Sequence, residues 1–174
     1  NLAPLLADSS PRVRAFAAIA AGHLGEKGLN SQVWTMLEGN QDPYLRHAGA
    51  YAIQLLSEPR QIAALTTHGS PEVRLAGTIA LRRMKDPLVE AFLSDDDPKV
   101  AREALQAIHD MDIEPARPAV AALLEDTPPW LTPLDWRRAL HSALRIGDET
   151  NLNRVIAVVL DEKAPAAARA EALR

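Results

Sequence analysis

The sequence contains no cysteine, and this absence excludes several kinds of site within these residues. Disulfides, thiolate zinc sites, iron–sulfur clusters and cysteine nucleophiles cannot form, and the C-x-x-C-H motif that attaches c-type haem is missing. The lack of cysteine does not assign a cellular compartment, because a chain without cysteine tolerates both reducing and oxidising surroundings.

Long apolar runs and surplus positive charge are also missing. No uninterrupted apolar run approaches the roughly 20 residues that cross a bilayer, and no secretory signal peptide is recognisable. The net charge is −4 and the isoelectric point is about 5.7, whereas a surface that tracks phosphates is normally basic. We therefore expect neither a membrane span nor a nucleic-acid partner.

Small aliphatic residues dominate the amino-acid composition. Aromatic residues make up only 4% of the 174 residues, while 47% are hydrophobic, carried by Ala, Leu, Val and Ile. This composition suits closely packed helices better than a β-sandwich. No stretch alternates apolar and polar residues long enough to indicate a strand. The sequence therefore predicts an all-α, globular protein.

One sequence pattern recurs six times. Its first copy, SPRVRAFAAIAAGHLG, runs from Ser10 to Gly25, with a capping residue, a proline for the first helical turn and a terminal glycine. The copies begin, 27 to 35 residues apart, at Pro11, Pro43, Pro71, Pro98, Pro133 and Pro165. A repeat near 30 residues with two helices per unit is typical of an α-solenoid.

The repeat divides the chain into six helical hairpins, in which the proline opens the second helix. The predicted units are residues 1–25, 26–57, 58–85, 86–111, 112–147 and 148–174. The first helices are expected at residues 2–7, 31–39, 59–67, 87–94, 115–125 and 149–160. We expect a right-handed α–α superhelix of twelve helices with incomplete outer units, belonging to a longer protein.

The residue before each proline predicts how well the second helix starts. Five prolines follow a residue suited to capping, namely Ser10, Asp42, Ser70, Asp97 and Thr132. Pro165 follows Ala164 instead. We therefore expect the last repeat to have the weakest start.

A stripe of residues on the second helices predicts the core. Counted from the proline, positions +2, +6, +9 and +13 combine large residues at the ends with small ones in the middle, which lets helices approach closely. The stripe comprises Val13, Ala17, Ala20 and Leu24 in the first unit, Leu45, Gly49, Ala52 and Leu56 in the second, and Val73, Gly77, Ala80 and Met84 in the third. Stacked units would bury it as one continuous core.

Arginine recurs three residues after the proline, at Arg14, Arg46 and Arg74, and acidic residues lie near the same turns, at Asp8, Asp42 and Asp97. One interpretation is an anion-binding row. The interpretation we favour is a structural ladder, in which each arginine bonds turn carbonyls or an aspartate of the next unit. The arginine recurs once in each of the first three units, whereas a binding site need not recur in every layer.

Motifs for catalysis or metal binding are missing. The five histidines form no H-x-x-x-H or H-E-x-x-H pattern, and no phosphate-binding or nucleophile-elbow motif occurs. Asp95, Asp96 and Asp97 form an acidic run, for which we favour helix capping and favourable interaction with the helix dipole over metal binding. We predict no enzyme activity, no cofactor, and no catalytic, metal or cofactor-binding residue.

The exposed side of the second helices is the predicted working surface. Positions +4 and +8, with two flanking arginines, offer a row that we call the second-helix row: His47, Tyr51, Arg102, Gln106, Arg137, Arg138, His141 and Arg145. Arginine and tyrosine are enriched at protein interfaces, so a protein or peptide partner suits this row. The alternative is an ordinary solvated face.

A proline-rich insertion, EDTPPWLT at residues 125–132, interrupts the fifth unit and carries Trp130. Insertions in solenoids often lie on the functional face. The interpretation we favour is that Trp130 and Trp136 pack against the loop and fill a gap.

The pattern P-x-V-R-x-x-A-x-x-A-L resembles HEAT repeats, in particular the short class of the phycobilisome lyases. SPRVRAFAAIAAGHLG and SPEVRLAGTIALRRM carry this resemblance. DPYLRHAGAYAI, VAREALQAIHDMDI and WRRALHSALRIGD are also similar to the HEAT segments of large bacterial proteins of the planctomycete type. Those proteins join a sugar-dehydrogenase-like propeller, HEAT repeats and a c-type cytochrome domain.

The resemblance implies a non-catalytic scaffold that docks a protein or neighbouring domains of its own chain. If the dehydrogenase likeness holds, the segment is periplasmic or exported and the redox chemistry lies outside it; otherwise it is cytoplasmic. Two other functions are left open. One is a HEAT-like bilin lyase that binds a tetrapyrrole, and the other is a HEAT-like nucleic-acid binder with a basic face around Arg102, Arg137, Arg138 and Arg145.

Overall fold

The computed structural model describes residues 1–173, and every regular element in that range is helical. Arg174, the last residue of the sixth predicted unit, lies outside the described residues. The α-helices are α1 (Ala3–Leu6), α2 (Pro11–Leu24), α3 (Asn30–Leu37), α4 (Pro43–Leu56), α5 (Pro59–Ala63), α6 (Pro71–Met84), α7 (Pro98–Asp110), α8 (Arg117–Asp126), α9 (Pro133–Ile146), α10 (Glu149–Leu160) and α11 (Ala166–Ala172). The predicted all-α class is confirmed.

Short 3₁₀ helices complete the pattern. Three of them adjoin α3, α5 and α8, at Lys27–Leu29, Ala64–Thr67 and Glu114–Ala116. The fourth, Pro87–Phe92, takes the place of the α-helix expected at the start of the fourth hairpin. Its first turn is held by the Asp86 carboxylate, which accepts a hydrogen bond from the Leu88 amide at 2.9 Å.

The elements form six stacked hairpins. In each, a first helix packs on a second helix that begins close to the repeated proline, as in α3 on α4, α5 on α6 and α8 on α9. The second helices also pack against one another in sequence: α2, α4, α6, α7, α9 and α11. This is the solenoid that the repeat predicted. None of the helices in residues 1–173 is long and apolar enough to cross a membrane.

The predicted caps hold at four of the five positions. Side chains of Asp42, Ser70, Asp97 and Thr132 accept hydrogen bonds from the first turn of their helices. Ser10 was predicted to cap as well, but its side chain makes no such bond. Instead the neighbouring Asp8 carboxylate accepts from the Ser10 amide at 2.8 Å, so the turn is fixed from outside the helix.

The last hairpin starts as weakly as predicted. Its second helix, α11, begins at Ala166 after Pro165, which offers no side-chain cap. The helix is seven residues long, against 14 for α2, α4, α6 and α9.

The predicted core stripe is confirmed in α4, where all four of its residues are buried. Three of the four α6 residues are also buried, and Met84 is half-buried. The prediction is wrong for Leu24, which is 69% exposed. Leu24 ends α2, which borders one second helix, α4, whereas α4 lies between two.

Glycines in the stripe allow helices to touch. A Cβ atom added at Gly49 would lie 2.6 Å from a methyl carbon of Leu37, on the first helix of the same hairpin. At Gly77 the added atom would lie 3.1 Å from Leu65. The small residues of the repeat therefore set the distance between the two helices of a hairpin.

Candidate functional site

The second-helix row differs between its two halves. The arginines on α7 and α9 pair with carboxylates, whereas on α4 His47 borders an open apolar cleft and Tyr51 contacts His23.

Three arginines on α9 are held by ion pairs, and two of these pairs are with neighbouring hairpins. Arg138 donates two hydrogen bonds to the Asp110 carboxylate, at 3.0 and 2.7 Å. Arg137 donates to the Glu171 carboxylate at 3.0 and 3.2 Å, and Arg145 reaches Asp112 at 3.0 Å. Arg137 and Arg138 therefore join their hairpin to its neighbours, whereas Arg145 bonds the first residue of its own unit, 112–147.

Arg102 anchors the proline-rich insertion. Its Nε donates to the fully buried Asp135 carboxylate at 3.0 Å, and its Nη2 donates to the Trp130 carbonyl at 2.6 Å. Thr132 donates to the same carboxylate from its amide and its hydroxyl, which closes a capping box at the start of α9. Trp130 is half-buried and packs against the core, and Trp136 is buried, in line with the gap-filling interpretation.

His141 stacks on His109 of the preceding second helix, with ring centroids 6.0 Å apart. His109 lies next to Asp110, with Nδ1 2.8 Å from a carboxylate oxygen. Burial alone would raise the pKa of Asp110, but hydrogen bonds from Arg138 and His109 outweigh burial and hold that pKa below its ordinary value. Gln106 is half-buried on α7.

The residues of the row on α4 contact histidine and arginine instead of carboxylates. His47 Nδ1 lies 3.0 Å from the Arg83 guanidinium, which can only donate a hydrogen bond, so Nδ1 is the acceptor in this contact. The Tyr51 hydroxyl lies 3.5 Å from His23, and the two rings are 5.5 Å apart.

An open cleft of about 720 Å³ lies beside His47, between the N-terminal halves of α2 and α4. Phe16 is 60% exposed and Tyr44 is 82% exposed, although both are large apolar side chains. We call this the aromatic cleft, and it is lined chiefly by Ala15, Phe16, Ile19, Tyr44, His47 and Ala48. The Arg12 guanidinium lies 5.8 Å from the centroid of the Phe16 ring.

A second cleft, of about 540 Å³, shares α4 as a wall. We call it the charged cleft, and its main residues are Arg46, Glu72, Leu75, Ile79, Lys99 and Glu103. Burial raises the pKa of Glu103 despite its ion pair with Arg82 at 2.5 Å. Acceptance of a hydrogen bond from Ser70 lowers the pKa of Glu72.

The three arginines of the predicted turn ladder make different contacts. Arg14 donates to the carbonyls of Asp8 and Ser9, and Arg74 donates to the carbonyl of His68 and to two aspartates of the next hairpin. Arg46 departs from the pattern, because within residues 1–173 its side chain makes no hydrogen bond and no ion pair shorter than 4.0 Å. Asp42 and Asp97 cap their own helices rather than pairing with an arginine.

The acidic run, Asp95 to Asp97, has a structural role. Asp95 accepts two hydrogen bonds from Arg74, at 2.8 and 2.9 Å, and Asp96 accepts one at 2.6 Å. We expected both carboxylates to act on the helix dipole, whereas they hold a guanidinium from the third hairpin. The hydrogen bond to Asp95 is the main cause that raises the pKa of Arg74. Among the described residues, no group of three or more His, Asp or Glu side chains is placed to hold a metal ion.

Sequence reasoning missed the residues that make the aromatic cleft. Phe16 and Tyr44 stand at positions +5 and +1 from their prolines, outside the +4 and +8 positions chosen for the row. In a helix, positions +1, +4, +5 and +8 form one face. The available signal was therefore that two of the few aromatic residues share this face with His47 and Tyr51.

Comparison with known families supports the repeat assignment. A family model described as HEAT repeats matches residues 1–82, which form the first two hairpins and most of the third. The likeness to phycobilisome lyases and to the bacterial dehydrogenase proteins stays a prediction. No curated protein matches the chain. The stacked hairpins show an all-α helical solenoid, and its first 82 residues are similar to HEAT repeats.

Proposed function

We propose that the chain is a non-catalytic helical-repeat scaffold that docks a protein, or a neighbouring domain of its own chain, on the exposed face of its first three hairpins. HEAT repeats are commonly protein-interaction scaffolds, and the match to that family lies in this part of the chain. The observation that carries the proposal is the aromatic cleft, which Phe16 and Tyr44, both exposed, line from neighbouring second helices.

Burial of such a surface by a partner is energetically favourable. Exposed apolar groups lose about 25 cal/mol per Å² of stabilisation that burial would provide. Clustered exposed aromatic side chains are typical of interface hot spots, where a few residues supply most of the binding energy. A partner that covers Phe16 and Tyr44 would gain this energy without rearranging the helices.

The arginines of α7 and α9 fit a structural role better. Arg137 and Arg138 are already paired with carboxylates of adjacent hairpins, Arg145 is paired with Asp112 of its own hairpin, and Arg102 holds the insertion. A partner would have to compete with these bonds. We therefore place docking at the His47 and Tyr51 end of the second-helix row and treat the α9 end as hairpin-to-hairpin bonding.

The same pairs count against nucleic-acid binding. That function needed a basic face around Arg102 and the arginines of α9, and each of these guanidinium groups now faces a carboxylate. Binding of a bilin, and a place inside an exported redox enzyme, stay predictions. The first is tested by titrating a tetrapyrrole and recording visible absorbance, the second by peptide mapping of the parent protein for a haem-bearing flank.

Site-specific photo-crosslinking tests the docking proposal. A benzophenone side chain replaces Tyr44 in the chain expressed in its own cells, and a matched variant carries it at Glu90, exposed on the opposite layer of first helices. We expect a discrete adduct, identified by mass spectrometry as one protein segment, from position 44 and none from position 90. No adduct at position 44, or equal adducts at both positions, would refute docking in the aromatic cleft.

A further inference from the structure

The aromatic cleft combines exposed rings with free hydrogen-bond donors. We infer that the segment that docks there is uncharged, rich in proline and extended in the polyproline II conformation. Its proline rings pack on the aromatic side chains, and its carbonyl groups accept hydrogen bonds from the cleft. This inference rests on the proposed docking function and specifies its partner.

The charges that line the aromatic cleft select neither an acidic nor a basic partner. The charged side chains of the lining are one cation and one carboxylate, Arg12 and Asp42. Their formal charges sum to zero, so a charged partner would gain from one of them and be repelled by the other. An uncharged segment meets no such repulsion.

The hydrogen-bonding groups left free at the cleft are mainly donors. Within residues 1–173, the hydroxyls of Ser10 and Tyr44 and the guanidinium of Arg12 make no hydrogen bond. A guanidinium can only donate, and each hydroxyl can donate one bond. Asp42 is the one carboxylate among the described lining residues, and it already accepts the Tyr44 amide at 2.8 Å. The cleft therefore suits a ligand that presents acceptors and few donors.

A polyproline II segment presents that pattern. Its backbone makes no internal hydrogen bonds, so its carbonyl groups are free, and proline has no amide hydrogen that would need an acceptor. In an α-helix most carbonyl groups are bonded internally, so a helical occupant could use these donors only at its C-terminal end. Strand addition needs a free strand edge, whereas the walls of this cleft are the helices α2 and α4.

The exposed rings favour the same partner. Phe16 and Tyr44 are 60% and 82% exposed and line the cleft from α2 and α4, together with the apolar side chains of Ala15, Ile19 and Ala48. Grooves lined by aromatic side chains recognise proline-rich segments, because such a segment is already extended and loses little conformational entropy on binding. Rings, donors and charge therefore agree on one kind of occupant.

Fluorescence anisotropy with three uncharged, labelled peptides tests the inference on the purified chain. The first is decaproline, the second is a glycine–serine peptide of the same length, and the third is a helical peptide with leucine at i, i+3, i+4 and i+7 and glutamine elsewhere. We expect decaproline to bind at least about tenfold more tightly than either of the other two. Its affinity should change little with salt, because no net charge is neutralised.

Substitutions at position 44 locate the binding and separate the ring from the hydroxyl. Tyr44→Ser should weaken decaproline binding at least about fivefold, because the ring is lost. Tyr44→Phe keeps the ring and should weaken it about threefold through loss of the donor. The matched control is Leu134→Ser, a large apolar residue that is 50% exposed on α9, and it should leave the affinity unchanged. Thermal unfolding of each variant verifies that the fold is intact.

The outcomes separate this inference from the docking proposal. Decaproline binding no tighter than that of the glycine–serine peptide, or an equal loss in Tyr44→Ser and Leu134→Ser, overturns the proline-rich partner. Tighter binding of the leucine peptide overturns it in favour of a helical occupant. A crosslinked segment without proline at position 44 also overturns it, while the adduct itself would still support docking. If neither adducts nor binding of any probe occur, both proposals fail.

Discussion

At the scale of single residues, Gly49 and the buried carboxyl group of Glu103 determine which substitutions the fold tolerates. Gly49 lies in the middle of α4, where glycine ordinarily weakens a helix by about 1 kcal/mol relative to alanine. The atoms nearest to a Cβ added at this position belong to Leu37, which is fully buried and has little room to move. The contact between helices therefore outweighs helix propensity at Gly49.

Gly49→Ala should lower the free energy of unfolding by about 1–3 kcal/mol, as overpacking of a core normally does. The control is Gly28→Ala, where the added methyl group meets no atom within 4 Å. That control should be neutral or slightly stabilising. Urea denaturation followed by circular dichroism measures both variants, and a stabilised Gly49→Ala protein would show that Leu37 does not fix the helix spacing.

Glu103 gives a prediction for pH. Its pKa in the folded chain is raised by burial, so the folded state binds the proton more tightly than the unfolded state does. The associated stability is present below the unfolded pKa and is lost as pH rises through the folded pKa. Glu103→Gln should therefore gain stability relative to the parent chain between about pH 4 and pH 7.

Denaturation series across that range measure this difference, with Glu26→Gln as a control at an exposed position. If the free energy of unfolding of Glu103→Gln instead falls relative to that of the parent chain as pH rises, the Arg82 ion pair, and not burial, dominates at Glu103.

At the scale of elements, the connections between hairpins are held by charged hydrogen bonds, which the repeated sequence pattern does not specify. The insertion before α9 is tied down at the Trp130 carbonyl and at the buried Asp135 carboxylate, both through Arg102. One side chain from the fourth hairpin thus orders a loop of the fifth.

Arg102→Met should free this loop and cost about 1–3 kcal/mol, because the buried Asp135 carboxylate loses a charged donor and the Trp130 carbonyl loses its hydrogen bond. Hydrogen exchange measured by mass spectrometry should then increase in the peptide that covers residues 126–132. Arg137→Met is the matched control, since its pair with Glu171 is half-exposed and such pairs contribute about 0–1 kcal/mol. Unchanged exchange in the loop of Arg102→Met would mean that packing of Trp130 holds it alone.

At the scale of the whole molecule, each hairpin is stable only against its neighbours. Ala52 is fully buried in α4, and α4 packs between α2 and α6. Nearest-neighbour stacking implies that damage at this position spreads to adjacent hairpins before it reaches distant ones.

Ala52→Asp should cost about 3–5 kcal/mol, because it buries an unpaired charge. Hydrogen exchange should lose protection in α2, α4 and α6 first, and later in α9 and α10. Ala170→Asp, exposed on α11, serves as the control. If Ala52→Asp left thermal stability unchanged, the assigned core would be incorrect.

Features that repeat along the chain could be predicted from the sequence, and features that depend on spatial neighbours could not. The prolines, the caps at Asp42 and Thr132 and the small residues of α4 act within one hairpin, so local patterns reveal them. The bond from Arg138 to Asp110 and the cleft that Phe16 and Tyr44 both line involve residues 28 apart, on different hairpins. Their geometry depends on how the hairpins stack, which a repeat pattern does not specify.

We predict that the aromatic cleft binds the partner and that the arginines of α9 have a structural role. The most direct test compares two double variants by isothermal titration with the segment identified by crosslinking. Phe16→Ser with Tyr44→Ser should weaken binding at least about tenfold without loss of stability, since both residues are exposed. Arg137→Ala with Arg145→Ala should leave the affinity within about twofold. The reverse result, with binding lost only in the arginine variant, would contradict the account.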